Sequence, residues 1–340
     1  MTGGFRWLAR LTAVLALCVV MLGAYVRLSD AGLGCPDWPG CYGRLVVPEH
    51  PGEVAPAYSG RALEPHKAWK EMVHRYFAGT LGLFILALAV IAWRHRRRPG
   101  QPVVLPLLLV GLVVFQALLG MWTVTLQLKP VVVMAHLLGG MATLAGLWWL
   151  VLRSIRWRPD APAEALAWRG FALLGLLLVI AQIALGGWTS ANYAALACPD
   201  FPVCQGSWWP PMDFREAFVL WRGTGINYEF GVLDNPARTA IHVTHRLGAL
   251  TVAIYVGLLA FFLLRWGNAA RVRRAAAGVA LLLLVQLGLG ISNVVFRLPL
   301  PVAVAHNGGA ALLLLALLTT FFLTRNPRRF AAQGGDDHAD

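Results

Sequence analysis

The chain of 340 residues is 58% hydrophobic and only 13% charged, with a mean hydropathy of +0.63. A soluble domain carries about a quarter charged residues, so the composition excludes an ordinary soluble enzyme and implies an all-α integral membrane protein. The net charge of +13 does not make it a nucleic-acid binder: the basic residues sit in short clusters between apolar runs, not on one soluble face.

A spanning helix needs about 20 largely apolar residues. Eight such runs follow one another, at 8–26, 72–93, 103–125, 131–152, 170–189, 240–264, 275–295 and 301–324. The first lacks a small-x-small cleavage site and reads as a retained helix, not a secretory signal. Cys18 within it reads as an inert core residue. Arginines cluster at alternate helix ends: Arg6 and Arg10, RHRRR (94–98), Arg153 with Arg156, Arg158 and Arg169, Arg265 with Arg271, Arg273 and Arg274, and Arg325 with Arg328 and Arg329. With eight spans these all fall on one side. The positive-inside rule makes that side cytoplasmic, together with both termini.

Two long loops then face outward, and they carry the same motif. The first reads CPDWPGC (35–41) and the second CPDFPVC (198–204). Two cysteines six positions apart, with prolines between them, can close a small loop, and an extracytoplasmic compartment permits disulfides. The pairs are Cys35 with Cys41 and Cys198 with Cys204. Either each is a covalent staple on a long loop, or it is a thiol–disulfide pair that passes electrons.

The motif belongs to a longer repeat. LGAYVRLSDAGLGC (22–35) aligns with LGGWTSANYAALAC (185–198) without a gap. MVHRYFAGTLG (72–82) aligns with VTHRLGALTVA (243–253), QALLG (116–120) with QLGLG (286–290), and MAHLLGGMA (134–142) with VAHNGGAAL (304–312). Four helices appear twice in the same orientation, a parallel repeat about an axis along the membrane normal. The expected organisation is an N-terminal four-helix half (1–152), a cytoplasmic linker (153–169), a C-terminal four-helix half (170–325) and a disordered tail (326–340).

Four histidines fall inside apolar runs at matched positions: His74, His136, His245 and His306. Each is expected within two turns of the outer end of its helix. A lone helix histidine reads as a hydrogen-bonded core residue, but intramembrane ionisable groups at repeated sites read as functional. Zinc takes three or four protein ligands, whereas haem iron needs one or two, because the porphyrin supplies four nitrogens. Facing histidines on two helices therefore suit a bis-histidine haem. Small residues follow each histidine by four positions, Ala78, Gly140, Ala249 and Ala310, and would let a ring lie against the helix. They are also common at plain helix contacts.

Arg75 and Arg246 follow the first histidine of each half. They would pair with haem propionates or snorkel to the interface. One feature breaks the repeat. Glu71 precedes His74 by three residues, on the same helix face, whereas His242 precedes His245. The carboxylate marks one half as a chemical site and leaves the other for electron transfer; alternatively Glu71 is an interfacial carboxylate paired with Lys70 or Arg75.

The segment GAYVRLSDAGLGCPDWPGCYG, the E-x-x-H-R helix start, Q-x-x-L-G-x-x-T-V, the A-H helix and the duplicated four-helix plan resemble the haem A synthase family over about residues 7–324. The resemblance implies an enzyme of the bacterial or mitochondrial inner membrane, here the bacterial one. Such an enzyme oxidises the C8 methyl of haem O to a formyl group by two successive hydroxylations. It implies that His245 and His306 ligate a haem b cofactor, with Arg246 beside it. His74 and His136 would flank the iron of the substrate haem O, with Arg75 beside it, and Glu71 would act at the methyl. Expected partners are haem O, membrane lipid, the haem O synthase and an electron donor, with a homo-oligomer left open. The outer loop 190–238 would cover the edge of the C-terminal haem, and His50, His66, His95 and His338 would be solvent-exposed. The competing readings are a bis-histidine two-haem electron carrier and a haem transporter.

Overall fold

A computed structural model describes residues 1–60, 62–155, 167–267 and 269–324. Eight long helices carry the fold: α1 Gly3–Leu28, α2 Pro65–Arg94, α3 Val104–Thr125, α4 Pro130–Ser154, α5 Arg169–Ala191, α7 Asn235–Trp266, α8 Ala270–Val295 and α9 Leu300–Leu323. The short α6 Phe214–Ala217 lies in the loop between α5 and α7, the second of the two expected to face outward. All eight long helices are long and apolar enough to cross a membrane, and no strand forms among the described residues. Helices are the economical answer for such a sequence, because in lipid each backbone group must find its partner within its own segment. The protein is a multi-pass helical membrane protein.

Each expected span is matched by a helix; α1, α2, α7 and α8 begin five to seven residues early, and in two of them a proline opens the helix. α2 starts at Pro65 and α7 at Asn235, well before the apolar runs. Proline in the first turn has no N–H to leave unpaired and a backbone angle already suited to a helix, so these starts extend past the apolar stretch under the outer loops. His74 and His245 therefore lie more than two turns inside their helices, a correction to the expected depth. His136 and His306 do lie within two turns of the starts at Pro130 and Leu300.

Helices α1 to α4 close a ring in which α1 packs on α2 and α4, and α3 packs on the same two. Helices α5, α7, α8 and α9 close a second ring with the same order of neighbours. The rings meet through α1 with α9, α4 with α5, and α4 with α9. One continuous apolar core runs through both, from Phe5 and Ile85 to Leu263 and Leu317. Tight turns recur at matched places. Gln127 and Leu128 between α3 and α4 are left-handed, as are Arg297 and Leu298 between α8 and α9.

Cys18 is exposed on α1 and is not a core residue. The buried stripe of α1 runs through Phe5, Ala9, Thr12, Ala13 and Ala16, and residue 18 falls off it. Of the segment expected as a linker, residues 156–166 lie outside the described residues, and α4 and α5 continue into its two ends. The expected tail 326–340 lies outside them too, as do Arg156, Arg158, Arg325, Arg328, Arg329 and His338. His50 and His66 are exposed, and His95 is half-buried with Nδ1 3.0 Å from the Ile91 carbonyl oxygen.

Candidate active site

Each of the four histidines stands against a glycine of the preceding long helix. A Cβ at Gly23 of α1 would lie 3.0 Å from Cε1 of His74, and one at Gly120 of α3 would lie 3.5 Å from Cε1 of His136. At Gly186 of α5 the distance to His245 would be 3.3 Å, and at Gly290 of α8 the distance to His306 would be 3.2 Å. At Gly23, Gly186 and Gly290 the imidazole stands closer than a Cβ would comfortably allow, whereas at Gly120 the contact would be an ordinary one. All four glycines lie in the repeated segments, so the signal was present in the sequence. Each glycine lies on a different helix from its histidine, so no spacing within one segment links the two.

His74 on α2 and His136 on α4 belong to one ring of helices, and His245 on α7 and His306 on α9 to the other. The buried Nδ1 atoms of His74, His136 and His306 have no hydrogen-bond partner. A buried polar atom is normally satisfied, so three imidazoles held this way await another group. Among the described residues no three His, Cys, Asp or Glu side chains are grouped so as to hold a metal ion. Two imidazoles per pair are fewer ligands than a tetrahedral metal site takes and suit a macrocycle that brings its own four nitrogens. The residues present fit a haem at each pair.

Glutamines buttress three of the histidines. Gln116 Nε2 donates to the His136 carbonyl oxygen at 2.8 Å. Gln286 Nε2 lies 3.4 Å from His306 Nε2. Gln182 of α5 donates to the His245 carbonyl oxygen at 2.9 Å and lies 3.0 Å from its Nδ1. The sequence comparison used Gln116 and Gln286 only as alignment anchors and passed over Gln182, whose aligned partner is Val19.

Glu71 is buried at the start of α2, and both its oxygens are engaged. Oε2 accepts the Cys35 backbone N–H at 2.9 Å, and Oε1 lies 2.5 Å from Arg75 Nη2. Of the two partners expected for an interfacial Glu71, the structure brings Arg75; Lys70 Nζ sits 5.4 Å from the Tyr25 ring centroid instead. Arg75 Nη1 donates to the carbonyl oxygens of Asp37 at 3.0 Å, Pro39 at 3.2 Å, and Gly40. At the matching place His242 Nδ1 accepts the Cys198 N–H at 3.2 Å. Arg246 donates to the carbonyl oxygens of Val203, Cys198 and Asp200 at 2.8, 3.0 and 2.8 Å. Both arginines, expected at propionates, thus bind the backbone of their Cys-Pro-Asp loop.

The aspartate of each motif ties its own loop. Asp37 accepts the N–H groups of Tyr42 at 2.6 Å and Gly43 at 2.9 Å, and Asp200 accepts those of Gln205 at 2.6 Å and Gly206 at 2.8 Å. The Gly206 N–H, with help from Gln205 and Arg246, holds the Asp200 carboxyl below the usual carboxylate range. The sulfurs of Cys35 and Cys41, and of Cys198 and Cys204, stand at disulfide-bonding distance, 2.04 and 1.99 Å.

The second outer loop also reaches the other ring of helices, which the sequence did not suggest. Tyr228 N–H donates to the Gln127 carbonyl oxygen at 3.0 Å. Buried Lys129 donates to the Gly223 carbonyl oxygen, with its Nζ 3.4 Å from the Trp221 ring centroid. From α1, Arg27 donates to the Ser190 carbonyl oxygen at 2.6 Å and to the Tyr193 hydroxyl at 2.8 Å.

Fold and site together define a multi-pass helical membrane protein with two intramembrane histidines in each ring and a buried glutamate one turn before His74. The family model described as cytochrome oxidase assembly protein matches residues 6–318, and the chain belongs to that family. A protein named heme A synthase from Shewanella oneidensis is 48% identical over 312 residues, covering 89% of this chain and 91% of that protein. Another of that name from Methylobacterium sp. (strain 4-46) is 32% identical over 340 residues, covering 88% and 86%. A third, from Shouchella clausii, is 24% identical over 312 residues, covering 89% and 91%.

Proposed function

We propose that this protein is a haem A synthase, which oxidises the C8 methyl of haem O to a formyl group by two successive hydroxylations. The observation that carries the reading is an asymmetry in titratable groups between the two rings. The buried carboxylate of Glu71 stands one helical turn before His74, where the other ring has His242 one turn before His245. Full-length relatives named heme A synthase supply the substrate class.

In this reading His74 and His136 would hold the iron of the substrate haem O. Glu71 faces the reacting methyl and takes a proton from it or stabilises positive charge there, roles a desolvated carboxylate can fill. His245 and His306 hold haem b, which when bound supplies a one-electron relay; the protein's part is orientation and environment. The outer loops shield both pairs from water, each closed by its cysteine pair as a disulfide. The two rings are read as halves of one duplicated unit, supported by their common packing order and by the matched glycines, arginines and turns. The protein resides in the bacterial inner membrane with both termini cytoplasmic, and receives its substrate from the haem O synthase.

The test is to purify the protein with and without a haem O supply, extract the haem and weigh it by mass spectrometry. Haem b is expected in both preparations. Hydroxylated or formyl haem is expected only with haem O and an intact Glu71. Two copies of haem b regardless of supply would replace this reading with a two-haem electron carrier.

A further inference from the structure

We propose that Arg75 is the positioning residue of Glu71, and that the Cys-Pro-Asp loop, read by Arg75 through its carbonyl oxygens, sets where that carboxylate points. This rests on the synthase reading and deepens it. It assigns Arg75 to the loop and the acid, not to a haem propionate.

The geometry is that of a two-sided fork. Nη1 of Arg75 faces the carbonyl oxygens of Asp37, Pro39 and Gly40, and Nη2 faces Oε1 of Glu71. The other oxygen of Glu71 takes the N–H of Cys35, the first residue of the same loop. A planar guanidinium holds its donors at fixed angles, so any shift of the loop backbone is passed to the acid. The loop is itself rigid: Asp37 ties down Tyr42 and Gly43, and the two sulfurs close the ring. The side chains of Arg75 and Glu71 are 13% and 7% exposed, so water does little to loosen the link.

The other ring of helices serves as an internal control. Arg246 also grips its loop, through the carbonyl oxygens of Cys198, Asp200 and Val203, and Cys198 N–H meets His242. Loop and arginine are the same there, but no carboxylate completes the fork. Holding the loop is therefore common to both rings, and the link to an acid belongs to the first alone.

The test is a double-mutant cycle with Arg75→Gln and Glu71→Ala, alone and combined, with Arg75→Lys as a milder variant. Residues in one network are not additive, whereas independent ones are. With Arg75→Gln the turnover should fall roughly 10- to 100-fold, the cost of misplacing a reacting group, while KM for haem O stays unchanged. In the Glu71→Ala background the same change should have no further effect. Arg75→Lys should recover part of the rate, because one donor arm remains. Hydrogen exchange gives a readout that needs neither haem nor turnover: the amides of 35–43 should exchange faster in Arg75→Gln, and those of 198–206 should not change. A raised KM with unchanged turnover, or additive losses, would overturn the proposal in favour of a propionate contact. Unchanged exchange at 35–43 would overturn it as well. If the wild-type protein leaves haem O untouched, the synthase reading fails, and the exchange experiment still decides whether Arg75 clamps the loop.

Discussion

Gly23 and Gly186 show how much of a site can rest on a missing side chain. A methyl at Gly23 would sit 3.0 Å from the His74 ring, and one at Gly186 would sit 3.3 Å from the His245 ring. Overpacking of this kind costs about 1–3 kcal/mol, which is roughly a 5-fold or greater loss of affinity. Gly23→Ala should therefore weaken haem retention at the His74 and His136 pair and spare the other, and Gly186→Ala should do the reverse. Haem titration followed by absorbance would separate the two pairs. A second prediction concerns Asp200. Its carboxyl is held below the ordinary range, chiefly by the Gly206 N–H. A lowered folded-state pKa contributes stability above the unfolded carboxylate range and loses it as pH falls through the lowered value. The protection of the 198–206 amides relative to intrinsic exchange should fall in that acid window, and Asp200→Asn should flatten the dependence.

The helices themselves were legible because they obey a length rule. Eight apolar runs of the right size became eight helices, with ends displaced where proline starts at Pro65 and near Asn235 carried α2 and α7 past the apolar stretch. The ties between elements were not legible. Lys129, at the turn between α3 and α4, is buried under Trp221 and Gly223 of a loop that belongs to the other ring. Nothing in the local sequence around Lys129 names that partner. Hydrogen bonds to charged groups contribute about 1.5–3 kcal/mol, so Lys129→Ala should lower the midpoint of thermal unfolding in detergent by several degrees. Arg27→Ala, which frees the end of α5 and the Tyr193 hydroxyl, should act in the same direction. In both variants the haem absorbance at saturating haem should be retained, because neither residue touches a histidine pair. Loss of haem at saturation would mean that these ties shape the site and do not merely hold the rings together.

At the scale of the whole molecule, two rings of helices share a packing order and differ where Glu71 precedes His74 and His242 precedes His245. If Glu71 acts at the substrate, Glu71→Ala should leave haem O bound and unoxidised, with the conversion rate down by about 10²–10⁴-fold, the usual contribution of a proton-transfer group. Mass spectrometry of extracted haem reads this directly, and a variant that still accumulates formyl haem at the wild-type rate would remove Glu71 from the chemistry. What the sequence by itself determined was the membrane class, the eight spans, the matched segments, the four histidines and the odd carboxylate. These follow from composition, hydropathy and spacing, which are local or periodic properties of the chain. Only the tertiary structure decided which glycine faces which imidazole, that Arg75 and Arg246 grip loop carbonyls, that Gln182 supports His245, and that the second outer loop is moored to the first ring. Those contacts join residues far apart in the chain. They are selected by how helices and loops pack, and no pattern within a single segment encodes them.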